Sequence, residues 1–251
     1  QVLTDQSGFT LDKLIELAYD PYLPGFETLI SGLINAYDTA RKQPVTLAEP
    51  IEVLRNWDYR VSVDSRAMSL AHYYGMQYLA DGIRPKGKSV MEIIEHFGTE
   101  SLRSERLAIF EKSVEKLNAD FGTWNTPWGD INRLQRLTGD IELPVDDAQP
   151  SIAIGLASGR WGALAAFGAR TVNGSKKLYG YRGNSFVAVV EFGDKIKAKS
   201  LLAGGQSGDP DSKHFYDQAQ RYAQGKFKDV AFYKEDVIKR ATERYIPGKR
   251  Q

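Results

Sequence analysis

Three residues near the C-terminus, Ser212, His214 and Asp217, have the side-chain types of a nucleophile–base–acid triad. On a helix, residues two positions apart point in widely different directions, so Ser212 and His214 are poorly placed to hydrogen-bond to each other. The alternative is that Ser212 caps a helix over residues 212–224, with the other two side chains in water. A triad depends on geometry and not on local spacing, so we favour the capping interpretation.

Other polar clusters also have a structural alternative. Residues 209–212 are rich in oxygen but lack the spacing of a calcium loop, and a polar turn explains them. The glycines of residues 204–208 do not match a nucleotide-binding fingerprint and indicate a tight loop. The three histidines, His72, His96 and His214, lie too far apart in sequence for a paired metal site. No metal site and no cofactor is predicted.

Two acidic dipeptides and a sequon complete the candidates. Residues 57–58 (Trp-Asp) and 64–65 (Asp-Ser) resemble an acid pair, but helix stop and start signals explain them equally well. Residues 173–175 match a glycosylation sequon, which is too common to use. By residue chemistry alone, no group of side chains provides a nucleophile with an adjacent base and an oxyanion donor. We therefore assign no catalytic residue, and the substrate pocket stays unknown.

Bulk composition argues against several classes of partner and site. The chain has 251 residues, 42% hydrophobic and 26% charged, with a net charge of +1 and no cysteine. Dispersed cations give no reason to expect a nucleic-acid partner. Without cysteine there is no disulfide, zinc–thiolate site or cysteine nucleophile. No apolar run is long enough for a membrane span, and the first residues do not form a signal peptide. Because Gln1 is not an initiator methionine, we expect a piece of a longer precursor.

The elements that must position any site change character along the chain. Capping residues and apolar spacings of three and four predict helices across most of residues 10–120. The predicted starts are Thr10, Pro24, the Glu49–Pro50 pair, Ser65 and the Ser89–Glu92 capping box, and a last helix carries Leu107, Phe110, Val114 and Leu117 and ends near Gly122. We expect a helical subdomain over residues 1–122.

Strand patterns dominate residues 123–251, which we expect to form a β-rich part with two terminal helices. Predicted strands are 152–156, 163–167, 178–181, 186–192 and 195–202, with a hairpin turn at Gly193–Asp194 and with 186–192 covered on both faces. Predicted helices are 212–224, with Phe215, Ala219 and Tyr222 inward, and 235–245, with Val237, Ala241 and Tyr245 inward. The chain is therefore predicted to be α+β.

Five sequence blocks together resemble the C-terminal part of the penicillin acylase family of N-terminal-nucleophile hydrolases. They are residues 10–20; Leu54, Trp57 and Asp58 with Asp64 and Ser65; residues 128–133 (WGDINR); residues 183–186 with 189–192; and residues 204–218 (GGQSGDPDSKHFYDQ), which resemble the family's GQSG…SxHYxDQ. The blocks span nearly the whole chain in the expected order. Asn184 stands where many members carry Asp, and Phe215 where the pattern has Tyr.

The resemblance implies an amide hydrolase with an αββα sandwich, made as a self-cleaving precursor that is periplasmic or secreted and in some members acts on antibiotics. In the family, the first residue of the β-chain attacks the amide carbonyl, its α-amino group acts as base, and backbone N–H groups with an Asn side chain hold the oxyanion. The family's nucleophile region lies upstream of the block that residues 10–20 resemble. The resemblance therefore implies scaffold, completed by the α-chain and the N-terminal β region, with a small N-acyl amide as substrate.

Three hypotheses remain open: an inactive C-terminal fragment of an amide hydrolase, a non-catalytic binding or assembly module with the same fold, and a self-contained hydrolase that uses Ser212, His214 and Asp217. For a fragment we expect an exposed strand edge or apolar patch where sandwich strands are missing, and homo-oligomers through it. Phe26, Leu29 or Trp57 could line an acyl pocket, although ordinary core packing is the better explanation.

Overall fold

A computed structural model describes residues 3–4, 7–82, 85–140, 144–172, 174–244, 246 and 248. The α+β prediction is confirmed. The first half is helical: α1 Leu11–Ala18, α2 Gly25–Asp38, α3 Ala48–Arg55, α4 Arg66–Asp81, α5 Val90–Thr99 and α6 Arg103–Phe121, with a 3-10 turn at Val45–Leu47 before α3. None of the described helices is long and apolar enough to cross a membrane.

Local capping signals fix the helix ends as predicted. The Thr10 and Ser65 hydroxyls accept hydrogen bonds from backbone N–H groups of the first turns of α1 and α4. At α5 the Ser89 N–H donates to the Glu92 carboxylate (2.8 Å), and the Glu92 N–H donates to the Ser89 hydroxyl (3.3 Å). Gly122 ends α6 in the left-handed region (φ +79°), where glycine carries no Cβ penalty.

Close helix crossings build the main core. A Cβ on Gly32 of α2 would lie 2.0 Å from the carbonyl oxygen of Gly98 in α5, so the two backbones meet where neither residue has a side chain. The buried Arg106 guanidinium donates to the Gly32 carbonyl (3.1 Å) and satisfies it at this crossing. Trp161, from the second half of the chain, is fully buried in the same core and stacks on Phe26 with ring centroids 4.6 Å apart. The boundary at residue 122 stays a prediction.

Two small sheets form the second half. Its elements are α7 Trp128–Ile131, β1 Asn132–Leu134, β2 Ile152–Ala153, a 3-10 turn at Gly159–Trp161, β3 Phe167–Arg170, β4 Leu178–Gly183, β5 Phe186–Glu191, β6 Lys197–Leu202, α8 Ala219–Ala223, β7 Lys228–Asp229 and α9 Lys234–Arg240. The strand orders are β2-β1-β4-β3 and β5-β6-β7, and all pairs are antiparallel except β1 with β4.

Several strand predictions need correction. Only Ile152–Ala153 of the predicted strand 152–156 pairs in the sheet, and the strand predicted at 163–167 starts at Phe167. The cause is the 3-10 turn at residues 159–161, which ends at Gly162 with φ +93°. The residues after this turn must change direction before the chain can pair with β4. The hairpin between β5 and β6 is confirmed, but residues 192–196 connect the strands, which makes the loop longer than the predicted two-residue turn.

The two terminal helices are shorter than predicted. The helix predicted from Ser212 begins only at Ala219, although Phe215, Ala219 and Tyr222 are buried as expected. In α9 no residue is buried and Val237 is 47% exposed, so the inward orientation predicted for Val237 and Ala241 is wrong. Tyr245, the third residue predicted to face inward there, lies outside the described residues.

Candidate functional site

The structure brings together two of the three triad candidates. His214 Nδ1 and Asp217 Oδ2 lie 2.8 Å apart, and both side chains are exposed. The Ser212 hydroxyl instead accepts a hydrogen bond from the backbone N–H of His214 (3.2 Å), which is a local turn and not a contact with the imidazole. Within the described residues, no serine–histidine side-chain bond completes a triad.

Cross-loop hydrogen bonds explain why no helix starts at Ser212. The His214 carbonyl accepts from the Ser207 N–H (3.1 Å), and the Gln218 N–H donates to the Gly204 carbonyl (2.9 Å). The helical bond between Gln218 and His214 is therefore replaced by bonds to the glycine loop. A Cβ on Gly205 would lie 2.0 Å from the His214 carbonyl oxygen, so this loop needs glycine for close backbone approach.

The closing block of residues 204–218 is fastened to β1 and the residues that follow it. Phe215 is buried under the Arg136 guanidinium, whose Cζ lies 4.0 Å from the ring centroid, and Arg136 Nη1 donates to the Phe215 carbonyl (2.6 Å). The Tyr216 hydroxyl donates to the Leu134 carbonyl (2.8 Å). The phenylalanine that departs from the family pattern thus forms a packing contact.

The second of the five blocks, within residues 54–65, has structural contacts of the same kind. The Asp58 carboxylate accepts from the Arg60 N–H (3.0 Å), and Arg60 Nη1 pairs with Asp20 at 2.8 Å, which ties this block to the end of α1. The Trp57 indole N–H donates to the Arg60 carbonyl (2.9 Å). The Ser65 carbonyl accepts from the N–H of Trp128, the first residue of α7. The stop-and-start interpretation of these dipeptides is confirmed.

Buried polar contacts also hold residues 128–133. The Asn132 side-chain amide donates to the carbonyls of Ile154 (2.9 Å) and Leu156 (3.0 Å), and the Trp128 indole N–H donates to the same Leu156 carbonyl (3.0 Å). Arg133 Nη1 donates to the Gly129 carbonyl (2.6 Å). These contacts join the short helix to the strand that follows it and to the segment after β2.

The two remaining histidines have structural surroundings. His72 on α4 is buried, and its Nδ1 lies 3.3 Å from the Trp161 indole nitrogen, which donates to it. Burial, with a smaller contribution from the Arg160 charge, lowers the pKa of His72 to about 3, so the ring is neutral at pH 7. His96 contacts Glu100 at 3.0 Å on the surface of α5. In the described ranges, no group of three or more His, Asp or Glu side chains is arranged to hold a metal ion.

The remaining candidates are parts of turns or of the core. Asp209 accepts from the Asp211 N–H (3.0 Å) in a turn of the kind that aspartate favours. Phe26 and Leu29 are fully buried in the helical core, and Trp57 packs against it. Asn173, the first residue of the sequon, lies outside the described residues.

One face of the β5-β6-β7 sheet carries several exposed apolar side chains, although Ser200 on the same face is buried. Val189 on the other face is buried, because α1 contacts β5 and α8 contacts β6. We call the exposed set the open sheet face: Phe186 (64% exposed), Val190 (41%) and Val230 (42%), with Phe192 (82%) and Phe232 (65%) just beyond the strand ends. In the described chain β5 is also the edge of its sheet. The prediction that this strand is covered on both faces is wrong, whereas the prediction of an exposed apolar patch is confirmed.

Sequence reasoning missed Val230 and Phe232 as members of this face. They follow the two-residue strand β7, which has too few residues to show an alternating pattern. The Val230 N–H donates to the Ala198 carbonyl of β6 (2.9 Å), and Ala198 is the partner of Val190. Only this cross-strand register shows that Val230 and Val190 lie on the same side.

Comparison with known proteins identifies the family. A solved structure of a thermostable penicillin G acylase from Alcaligenes faecalis is similar over 96% of this chain and 50% of that chain, with 12% identity and a TM-score of 0.49. The present chain thus spans about half the length of that protein. The family model described as penicillin amidase matches residues 1–239. That match covers nearly the whole sequence, and the chain therefore belongs to the penicillin amidase family.

Proposed function

We propose that this chain is the C-terminal part of an amide hydrolase that cleaves the linear amide bond of an N-acyl substrate, such as a penicillin, an acyl-homoserine lactone or a lipopeptide. Family membership supports the reaction class. In this proposal the chain alone is inactive. The nucleophile, its α-amino base and the oxyanion donors come from the remaining parts of a self-cleaved, periplasmic or secreted precursor.

The open sheet face is the observation that carries this proposal. Full burial of a large apolar side chain contributes about 1.5–3 kcal/mol, so an uncovered row of such residues favours association with another surface. In an αββα sandwich each sheet has helices on one face and the second sheet on the other. Here α1 and α8 lie on one face of the β5-β6-β7 sheet, and its other face carries the exposed apolar side chains of β5 and of the segment after β7. This arrangement fits one half of a sandwich.

The first experiment compares activity with and without the rest of the precursor. The parent gene is sequenced, and the 251-residue chain and the complete precursor are each assayed on p-nitroanilides of short and long acyl chains. We expect turnover only with the precursor. Turnover by the chain alone that His214→Ala abolishes would contradict the proposal and favour the triad hypothesis. A correctly assembled precursor that lacks turnover would favour the binding or assembly module.

The second experiment tests the open sheet face within the complete precursor. Val190→Lys places a charge on this face, where burial of an unpaired ammonium in an interface is costly. We expect loss of assembly and of turnover. Val45→Lys is the matched control, because Val45 is 87% exposed on the helical half. Equal assembly of both variants would show that the open sheet face is not the interface.

Self-association of the isolated chain is the third expected consequence. We expect light scattering to detect homo-oligomers that Val190→Lys reduces and Val45→Lys does not. A monomer at all accessible concentrations would remove this support for an incomplete sandwich.

A further inference from the structure

Three arginines border one cavity that shares no wall residue with the closing block of residues 204–218. The arginine cleft is a cavity of about 110 Å³ between α4 and the β3–β4 pair, bordered by Arg160, Arg170 and Arg182 with Trp128, Phe167 and Tyr181. A second cavity of about 260 Å³ adjoins it and shares the walls His72, Met76, Ala169 and Arg170.

Three separate elements bring these arginines together. Arg160 lies in the 3-10 turn, Arg170 ends β3 and Arg182 lies near the end of β4. A bulge shifts the β3–β4 register between residues 168 and 169, so that Arg182 pairs with Gly168 and Tyr181 is the extra residue. The guanidinium carbons of Arg170 and Arg182 then lie 4.7 and 5.2 Å from the centroid of the Tyr181 ring.

Gly168 contributes space to this arrangement. A Cβ on Gly168 would lie 2.8 Å from Cγ and 3.2 Å from Nε of Arg182. The Arg182 side chain therefore runs close across the backbone of β3 at Gly168, and a side chain at this position would require Arg182 to move.

The cleft has positive charge without a counterion. No carboxylate within the described part of the chain forms an ion pair with Arg160, Arg170 or Arg182, and neither cavity has an aspartate or glutamate in its wall. Arg160 Nη1 donates to the Met76 sulfur, at 3.0 Å. Like charges gathered at one opening repel each other, and a bound anion relieves that repulsion. The planar guanidinium fork matches a carboxylate in a bidentate manner.

The walls behind the arginines are aromatic and suit the apolar part of a ligand. They also contain a buried polar atom, Asn132 Oδ1. Trp128 and Phe167 are buried aromatic residues of the wall. Asn132 is almost fully buried and also borders the cleft, and its Oδ1 has no hydrogen-bond donor in the part of the chain that the structure describes. A buried acceptor without a donor is costly, so a bound water that donates to Asn132 Oδ1 is favoured there.

We propose that the arginine cleft binds a small organic carboxylate, with the carboxylate group against Arg160, Arg170 and Arg182 and the apolar part against the aromatic wall. This proposal does not depend on the proposed hydrolytic function, because it uses only contacts within this chain. The mixture of aromatic walls and guanidinium groups favours an organic acid over an inorganic anion, which would leave the apolar wall in water.

The test is a titration of the 251-residue chain with benzoate, its neutral analogue benzamide, and inorganic phosphate. Binding is followed by the indole N–H resonances of the four tryptophans. We expect saturable shifts at Trp128 with benzoate and not at Trp57, which does not border the cleft. Benzamide and phosphate should bind much more weakly, and added salt should weaken benzoate binding.

Variants connect the signal to the arginines. Arg170→Gln and Arg182→Gln should each weaken benzoate binding about tenfold, because each removes a charge-assisted hydrogen bond. Arg41→Gln, at an exposed position elsewhere on the surface, is the matched control and should not change the affinity. Unchanged binding in both cleft variants, benzamide affinity equal to that of benzoate, phosphate affinity equal to that of benzoate, or no saturable shift would each overturn the proposal.

Discussion

His72 gives this protein a defined source of acid sensitivity. The imidazole is buried, Nδ1 accepts a hydrogen bond from the Trp161 indole, and the nearby Arg160 charge also disfavours protonation. These surroundings lower the pKa of His72 to about 3, with burial as the larger cause. An unfolded chain lacks them, so there the histidine has a pKa of about 6.5.

The direction and size of the change in the free energy of unfolding with pH follow from proton linkage. As pH falls below about 6.5, the unfolded chain binds a proton at His72 that the folded protein does not bind, so stability is lost. The stability from neutral His72 is fully present above the unfolded pKa and declines as pH falls towards about 3. The slope is about 1.4 kcal/mol per pH unit. Protonation of His72 in the unfolded chain should therefore lower the free energy of unfolding by about 2 kcal/mol between pH 6.5 and 4.5.

The assay is urea unfolding at pH 6.5, 5.5 and 4.5 of the wild type, His72→Asn and His96→Asn. Asparagine at position 72 keeps an acceptor for the Trp161 indole, and His96→Asn removes an imidazole from the surface of α5. Carboxylate titration is common to all three proteins and cancels in the comparison. We expect the wild type and His96→Asn to lose about 2 kcal/mol more than His72→Asn over this range. Equal losses in all three proteins would refute the assignment of the acid sensitivity to His72.

Two further stability predictions follow from the helical half. Gly32→Ala should lower the free energy of unfolding by about 1–3 kcal/mol, because the new Cβ meets the Gly98 carbonyl oxygen at 2.0 Å. Ser31→Ala, at an exposed position of the same helix, should change it by less than about 0.5 kcal/mol, and similar urea midpoints for the two variants would contradict the close crossing. Ser89→Ala should cost about 1 kcal/mol through loss of the capping box with Glu92, measured in the same way, and an unchanged midpoint would show that the box does not stabilise α5.

Residues of the blocks that carry the family resemblance form contacts between elements, and arginines outside the blocks take part in them. Arg60 joins the block after α3 to the end of α1, and Arg136 with Tyr216 joins the closing block to the β1 region. These hydrogen bonds and ion pairs hold separate elements of the fold together.

The helices of the first half and the family membership could be predicted from the amino-acid sequence. Caps at Thr10, Ser65 and Ser89 act on backbone groups three residues away, and apolar periodicity depends only on neighbours along one helix. The α+β class follows from the change in pattern after Gly122. Capping residues and apolar spacing are enough to predict these helices because the interactions involved lie within a few residues along the chain.

Which surfaces are covered and which charged side chains lie close together depends on how the elements pack, and the sequence pattern did not predict it. The apolar sequence that starts at Phe186 is compatible with a strand buried on one face or on both. The packing of α1 and α8 on one side of the sheet determines which face of this strand is buried. Arg160, Arg170 and Arg182 are at least ten positions apart in sequence and share no motif. Their approach results from a strand bulge and a tight turn, since burial and charge clustering arise between elements and not within them.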